Sequence, residues 1–277
     1  MSLIEEVMRR QAHERAAMAG GIAPSAGAAA PAAWAARPIL APAPETANER
    51  YCAATLDSEA LERNRVLLRV QDVAVSRAYK ILRTRVLRRM AANNWYTLGV
   101  TGTAAGEGKT ITAINLALAL AQDPHAWVFL VDLDLQRPRL GAYLGMSYEY
   151  GLTDFLAGQA QLEQVVYDIG IKRLAVVPNA SPVETSSEHL RSPRMADFLN
   201  ALEAQTPRRI VIFDMPPLLA SDDVLAFAPR VDSFLLVVSQ GFTARRTLAN
   251  AKEVLSELNL LGVVLNRSTE HNDSPYY

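Results

Sequence analysis

"GTAAGEGKT", Gly102–Thr110, decides how the rest of the chain is read. It follows an apolar stretch, "WYTLGV", that suits a strand, and runs into "KTITAINLALALAQ", whose apolar residues recur at helical spacing. A loop of small residues between a strand and a helix is the setting in which a glycine-rich turn holds phosphate. Gly106 and Gly108 let successive backbone N–H groups turn inward around anionic oxygens, and Ala105, Glu107 and Ile111 belong to the same wall. The helix starting at Lys109 adds the partial positive charge of its N-terminus. Lys109 is expected to bridge the β and γ phosphates of a nucleotide, and Thr110 to offer its hydroxyl to Mg2+. In the pattern G-x-x-x-x-G-K-[ST] the first glycine falls on Thr103, which needs only an accessible backbone conformation there. A plain capping turn is the alternative, and the Lys–Thr pair argues against it.

Two further stretches supply acids. "VFLVDLDLQRP" delivers Asp132 and Asp134 to the carboxyl end of a strand, on the same side because side-chain direction has a period of two. "IVIFDMPP" ends another strand at Asp214. Each aspartate alone would serve as a helix or turn cap. Gathered near the loop, they form a carboxylate cluster that is costly to bury without a cation, and Mg2+ is the expected one.

Outward from these motifs the chain alternates. Apolar runs of strand length occur at Tyr96 to Val100, Trp127 to Val131, Leu174 to Val177, Ile210 to Phe213, Phe234 to Val238 and Val263 to Leu265. Helical patterns at Thr110 to Gln122, Pro193 to Ala204 and Thr243 to Leu258 separate most of them. Continuous apolar strands alternating with helices predict an α/β fold, P-loop NTPase-like, with a mostly parallel central sheet flanked by helices on both faces. Ligands then belong at the carboxyl ends of the strands.

Ahead of this region, residues 58–91 read as a basic helix, notably "VSRAYKILRTRVLRRM", with Ala78, Leu82, Val86 and Ile81 as its inner stripe. Residues 17–57 read as an Ala/Pro-rich flexible linker, and residues 1–16 as a short amphipathic helix that either packs on its own domain or binds a partner. The domain is expected over 58–268, with a polar tail at 269–277.

Composition bounds the rest. Lys plus Arg number 28 against 29 Asp plus Glu, so the near-zero net charge gives no general attraction to nucleic acid, and none is expected as a partner. Half the residues are hydrophobic, enough for a sizeable core, although much of that is alanine. Cys52 is the only cysteine, which excludes an internal disulfide and a cysteine-built zinc site and suits a reducing compartment. No strongly apolar run long enough to span a bilayer occurs, and "MSLIEEVMRRQ" carries acids where a signal peptide needs apolar residues, so a cytoplasmic protein is expected.

"AAGEGKT", "FLVDLDLQRP" and "IVIFDMPP" resemble the Walker A, A′ and B motifs of the bacterial tyrosine kinases (BY-kinases) that govern capsule and exopolysaccharide export. The likeness runs over roughly residues 75–268. Partition and cell-division ATPases of the same superfamily carry an early lysine, as in K-G-G-x-G-K-T; Ala104 stands at that position here. By the resemblance, Lys109 and Thr110 hold phosphate and metal, Asp132 and Asp214 bind or orient the Mg2+ shell, and Asp134 accepts the proton of the attacking tyrosine. Asn266, with Arg267 beside it in "VVLNR", matches the family's base-contacting asparagine; a strand-terminating Asn in a turn is the alternative. Arg137 and Arg139 either steady phosphate or are solvated loop charges.

The resemblance also implies ATP as substrate and an acceptor tyrosine in the enzyme's own tail, here Tyr276 and Tyr277 of "STEHNDSPYY". It implies a membrane-embedded polysaccharide chain-length regulator that activates the kinase and recruits it to the inner face of the membrane. A homo-oligomer is expected too, yet the family's E-x-x-R-x-x-R ring contact aligns with Arg77, Lys80 and Arg83, a basic residue replacing the acid. The competing function is a nucleotide-switched assembly ATPase that phosphorylates no tyrosine.

Overall fold

A computed structural model describes residues 50–68, 72–206 and 209–268. Among them eight strands form one sheet: β1 (Cys52–Ala53), β2 (Thr97–Gly102), β3 (Trp127–Asp132), β4 (Tyr167–Asp168), β5 (Leu174–Val177), β6 (Arg209–Asp214), β7 (Ser233–Ser239) and β8 (Leu260–Asn266). Their spatial order is β1-β4-β5-β3-β6-β2-β7-β8, and every neighbouring pair is parallel except β4 with β5. The mostly parallel α/β sheet expected from the apolar runs is present. Two-residue β1 and β4 carry too little pattern to be read from sequence.

The helices are α1 (Ser58–Arg63), α2 (Val73–Asn93), α3 (Lys109–Leu120), α4 (Leu140–Leu144), α5 (Leu152–Leu156), α6 (Leu162–Val165), α7 (Ser186–Arg191), α8 (Pro193–Gln205), α9 (Asp223–Phe227), α10 (Arg245–Asn250) and α11 (Lys252–Glu257). The strands explain why both faces need covering. Every residue of β3 is buried, with Trp127, Phe129 and Val131 in one apolar cluster and Val128 and Leu130 in another. Successive side chains leave a strand on opposite faces, so this run specifies two cores. Phe198 and Leu202 of α8 fill the first, Leu116 and Leu120 of α3 the second.

Three sequence expectations need correction. The helix expected over 58–91 is broken: Asn64 caps α1, Arg65 takes a left-handed φ of +58°, and Val66 turns inward to full burial. The Asn115 side chain fixes this turn, accepting from Leu67 N at 2.8 Å and donating to the Arg65 carbonyl at 3.2 Å. Asp72 then caps α2 by accepting from Ala74 N and Val75 N.

The inner stripe of α2 is also shifted. Val86 and Met90 are buried and Leu82 half-buried, whereas Ala78 is exposed and Ile81 stands 46 % exposed. Tyr79, Leu82, Val86 and Met90 share one face at helical spacing, and these larger side chains set the phase that Ala78 cannot. Arg83 is committed within the chain, donating to the Ala119 carbonyl and to Gln122, both at 3.2 Å. A cation there also suits the C-terminal end of α3.

The linker does not extend to residue 57. Tyr51 is buried with its ring 6.4 Å from Phe129, β1 pairs with β4, and Leu56 bridges Met146. The proline-rich composition stops at Pro44, and the apolar residues after Arg50 have a core to join. The expected helix at 1–16, the linker up to residue 49 and the tail tyrosines Tyr276 and Tyr277 lie outside the described residues. The helix expected at 243–258 is α10 and α11 separated by Ala251, across which the helical bonds from Ala251 N to Thr247 and from Leu255 N to Ala251 continue. Among the described residues no helix is long and apolar enough to cross a membrane.

Candidate active site

The strand order places β3, β6 and β2 side by side at the centre of the sheet, with their carboxyl ends on one edge. The loop after β2 carries Gly106 and Gly108 at φ +83° and +91°, a region that favours glycine. At Gly108 a Cβ would lie 2.1 Å from Asn266 Nδ2, so the position tolerates no side chain. Gly108 is the N-cap of α3 and provides no side-chain bond, leaving the first-turn N–H groups of α3 available to an anion. Lys109 is buried at this helix start and Thr110 half-buried beside it.

Glu107 lies in the loop, but its fully buried side chain turns away from the cradle. Its carboxylate accepts from Thr103 Oγ1 at 2.7 Å, Thr243 Oγ1 at 2.6 Å and Ala104 N at 3.0 Å. Thr103, at the position where the general pattern has glycine, therefore has a task of its own. Asn266 Nδ2 donates to the Glu107 carbonyl at 2.9 Å, and Arg267 donates to the Gly106 carbonyl at 3.0 Å. The end of β8 thus braces the loop from outside. Thr243 was not foreseen; a buried-type bond partner in a loop of small residues is signalled only by the presence of an acid such as Glu107.

The acids meet as the motifs imply. Asp132 and Asp214 are register partners across β3 and β6, both buried. Asp132 Oδ2 accepts from Arg139 N at 3.1 Å and Leu140 N at 3.0 Å, and Oδ1 from Asp134 N at 3.2 Å, so this side chain also folds the loop after β3. The Thr110 side chain stands close enough to Asp214 to favour its ionised form, yet Asp214 Oδ1 is buried without a hydrogen-bond partner. Burial, then the charge of Asp214, holds the Asp132 carboxyl well above the usual carboxylate range. Burial pushes Asp214 up to about 7 against the opposing pull of Thr110 and Lys109. Asp134, half-buried, is raised by burial first, with Lys109 pulling it down and Asp223 pushing it up.

An orphaned buried oxygen and mutually repelling carboxylates fit a divalent cation, which would supply the missing positive charge. Thr110, Asp132 and Asp214 are the residues that would hold it. Arg137 and Arg139 are exposed on the same loop.

Sequence reasoning missed Asp223. Fully buried at the start of α9, it accepts from Ser186 Oγ at 2.8 and 2.9 Å and from Gln136 Nε2 at 3.3 Å. Gln136 also donates to Ser186, so the loop carrying Asp134 is tied to α7 and α9. An acid opening an apolar helix, in "SDDVLAF", is the faint signal.

Residues 98–276 match the family model described as the CobQ/CobB/MinD/ParA nucleotide binding domain. Tyrosine-protein kinase YwqD of Bacillus subtilis (strain 168) is 31% identical over 221 residues, spanning 78% of this chain and 92% of the relative. Tyrosine-protein kinase CpsD of Streptococcus pneumoniae serotype 4 is 30% identical, spanning 68% of this chain and 82% of its own length. The kinase domain of Escherichia coli tyrosine kinase ETK superposes with a TM-score of 0.62 at 25% identity, covering 84% of this chain and 99% of that domain. With its phosphate loop, paired strand-end aspartates and this kinship, the chain belongs to the bacterial tyrosine kinases, built on a nucleotide-binding domain of the CobQ/CobB/MinD/ParA family.

Proposed function

We propose that the chain is an ATP-dependent protein-tyrosine autokinase that regulates exopolysaccharide or capsule polymerisation and export. The observation that supports it most is the meeting of Lys109, Thr110 and the orphaned Asp214 oxygen beside a glycine-lined helix start. In this reading the backbone from Ala105 to Ile111 lines the triphosphate, Lys109 bridges its β and γ groups, and Asn266 and Arg267 border the base. Thr110, Asp132 and Asp214 hold Mg2+, which supplies charge against the negative charge of the transferring group.

Phosphoryl transfer needs alignment more than covalent help from the protein. The tyrosine oxygen forms a bond to the γ phosphorus, the bond to the β–γ bridging oxygen breaks, and ADP carries away that electron pair. Asp134 takes the tyrosine proton; a carboxyl raised by burial is a better base than an ordinary one. Tyr276 and Tyr277 are the proposed acceptors, each gaining close to two negative charges. A membrane-embedded chain-length regulator completes or activates the site and recruits the kinase to the inner face of the membrane.

Incubation with γ-labelled ATP followed by phosphosite mapping tests the reading. Label is expected on Tyr276, Tyr277 or both, and Lys109→Met is expected to abolish it. Persistent labelling in that variant counts against the mechanism; turnover with an unlabelled tail removes the acceptor assignment. ADP formation with no phosphotyrosine anywhere supports the assembly-ATPase alternative.

A further inference from the structure

Helix α2 carries Arg77, Lys80, Arg83, Arg85, Arg88 and Arg89 and no acid, in a chain whose charges otherwise nearly cancel. The helical repeat of about 3.6 residues sorts these cations by face. Arg83 and Arg89 flank the inner stripe and are used within the fold, donating to the carbonyls of Ala119 and Leu261. Directly opposite that stripe lie Val73, Arg77, Ile81 and Arg88, with Lys80 and Arg85 at the margins, all exposed. Asp72, the acid next to the helix, is committed to capping it through Ala74 N and Val75 N. α3, against which α2 packs, has no acidic residue either. Among the described residues, none of Arg77, Lys80, Arg85 and Arg88 makes an ion pair.

Two large apolar side chains share this face with the cations. Val73 is 81 % exposed, and Ile81, one helical turn beyond Arg77, is 46 % exposed. Cations alone would suit any polyanion, but branched aliphatic side chains gain nothing beside phosphate in water. A bilayer offers both partners, anionic headgroups at its surface and hydrocarbon beneath them. Arg and Lys side chains lay their aliphatic stems along apolar surface while their charged ends stay at the level of the headgroups. A second copy presenting the same helix would instead bring like charges together, and a net charge of -1 for the whole chain supplies little field to offset them.

We propose that the outer face of α2, centred on Arg77, Ile81 and Arg88, docks on an anionic lipid bilayer, with Val73 and Ile81 entering the headgroup layer between the cations. The contact is with the lipid itself, not with a protein partner, and it stands whether or not the phosphate loop serves a kinase. Because α2 packs on α3, the helix that starts at Lys109, such docking also sets how the phosphate loop is turned relative to the membrane.

Co-sedimentation of the full chain with vesicles tests it, comparing phosphatidylcholine alone with phosphatidylcholine containing phosphatidylglycerol, at low and at high salt. The unaltered chain is expected on the mixed vesicles only, and is expected to leave them as salt rises. Each cation removed should weaken binding about fivefold, so Arg77→Gln/Arg88→Gln should bind about 25-fold more weakly, whereas Arg77→Lys/Arg88→Lys should bind as the unaltered chain does. Ile81→Ser should lose about fivefold at constant charge. All three positions are exposed, so thermal unfolding should not move in any of these variants. Absent binding, or equal binding to both kinds of vesicle, overturns the proposal, as does full affinity in Arg77→Gln/Arg88→Gln, which would put the lipid contact elsewhere in the chain. Binding of duplex DNA that falls in Arg77→Gln/Arg88→Gln, alongside vesicle binding indifferent to Ile81→Ser, would make the face a general polyanion site and overturn it too.

Discussion

Asp214 concentrates the chemistry of the site into one side chain. Its carboxyl is pushed up to about 7 from an ordinary 3.8, so between those values the folded protein keeps a proton that the unfolded chain releases. Stability from this group is therefore fullest at low pH and is lost as pH rises through about 7. Without nucleotide or metal, the protein should be a few kcal/mol less stable near pH 8 than near pH 5 on account of this residue. Denaturant titrations should show a flatter pH profile for Asp214→Asn, and a profile as steep as that of the unaltered chain would refute the assignment. Thr243 offers a second test. Thr243→Val strips a donor from buried Glu107 and an acceptor from Ser239 N, and should cost about 1–3 kcal/mol of unfolding free energy. Lys109, Thr110, Asp132 and Asp214 were legible from sequence because motif spacing ties them to strand ends and a helix start. Thr243 and Asp223 were not, since their partners Glu107 and Gln136 stand 136 and 87 positions away along the chain.

At the scale of elements, apolar runs located the six longer strands, because a strand buried on both faces needs a continuous apolar sequence. The same logic was silent about β1, whose place comes from the anchoring of Tyr51 rather than from any run. Tyr51→Ala removes a buried ring packed edge-on against Phe129 and should destabilise the fold by about 3 kcal/mol in chemical denaturation. A negligible change would mean that the segment before α1 is only draped on the sheet. The phase of α2 eluded sequence reading because Ala78 and Ile81 fit a helical stripe as well as Tyr79 and Met90 do, and only the neighbouring α3 decides between them. Gly108→Ala belongs at this scale too. The substitution sets a methyl against Asn266 at a left-handed position, so it should displace the end of β8 and reduce ATP affinity at least tenfold by calorimetry, an order-of-magnitude expectation from backbone strain.

For the molecule as a whole, the two apolar clusters share one sheet, and β3, β5, β6 and β7 each send side chains into both. Thermal unfolding of residues in this unit is expected to follow a single cooperative transition in calorimetry, shifted upward by Mg2+ with ATP through mass action. Two separated transitions would show that the faces melt independently. The strand order itself was not legible: alternation of runs establishes a parallel sheet, but nothing in the sequence says that β6 lies between β3 and β2, the arrangement that brings Asp132 beside Asp214. The anchoring of Glu107 by Thr103, Ala104 and Thr243 gives the assembled protein one more property. Because that part of the receptacle is held by these bonds before any nucleotide arrives, the loss of conformational freedom on capture falls chiefly on the ligand. Control over such an enzyme is better exerted on the arrival of the acceptor hydroxyl and the departure of ADP.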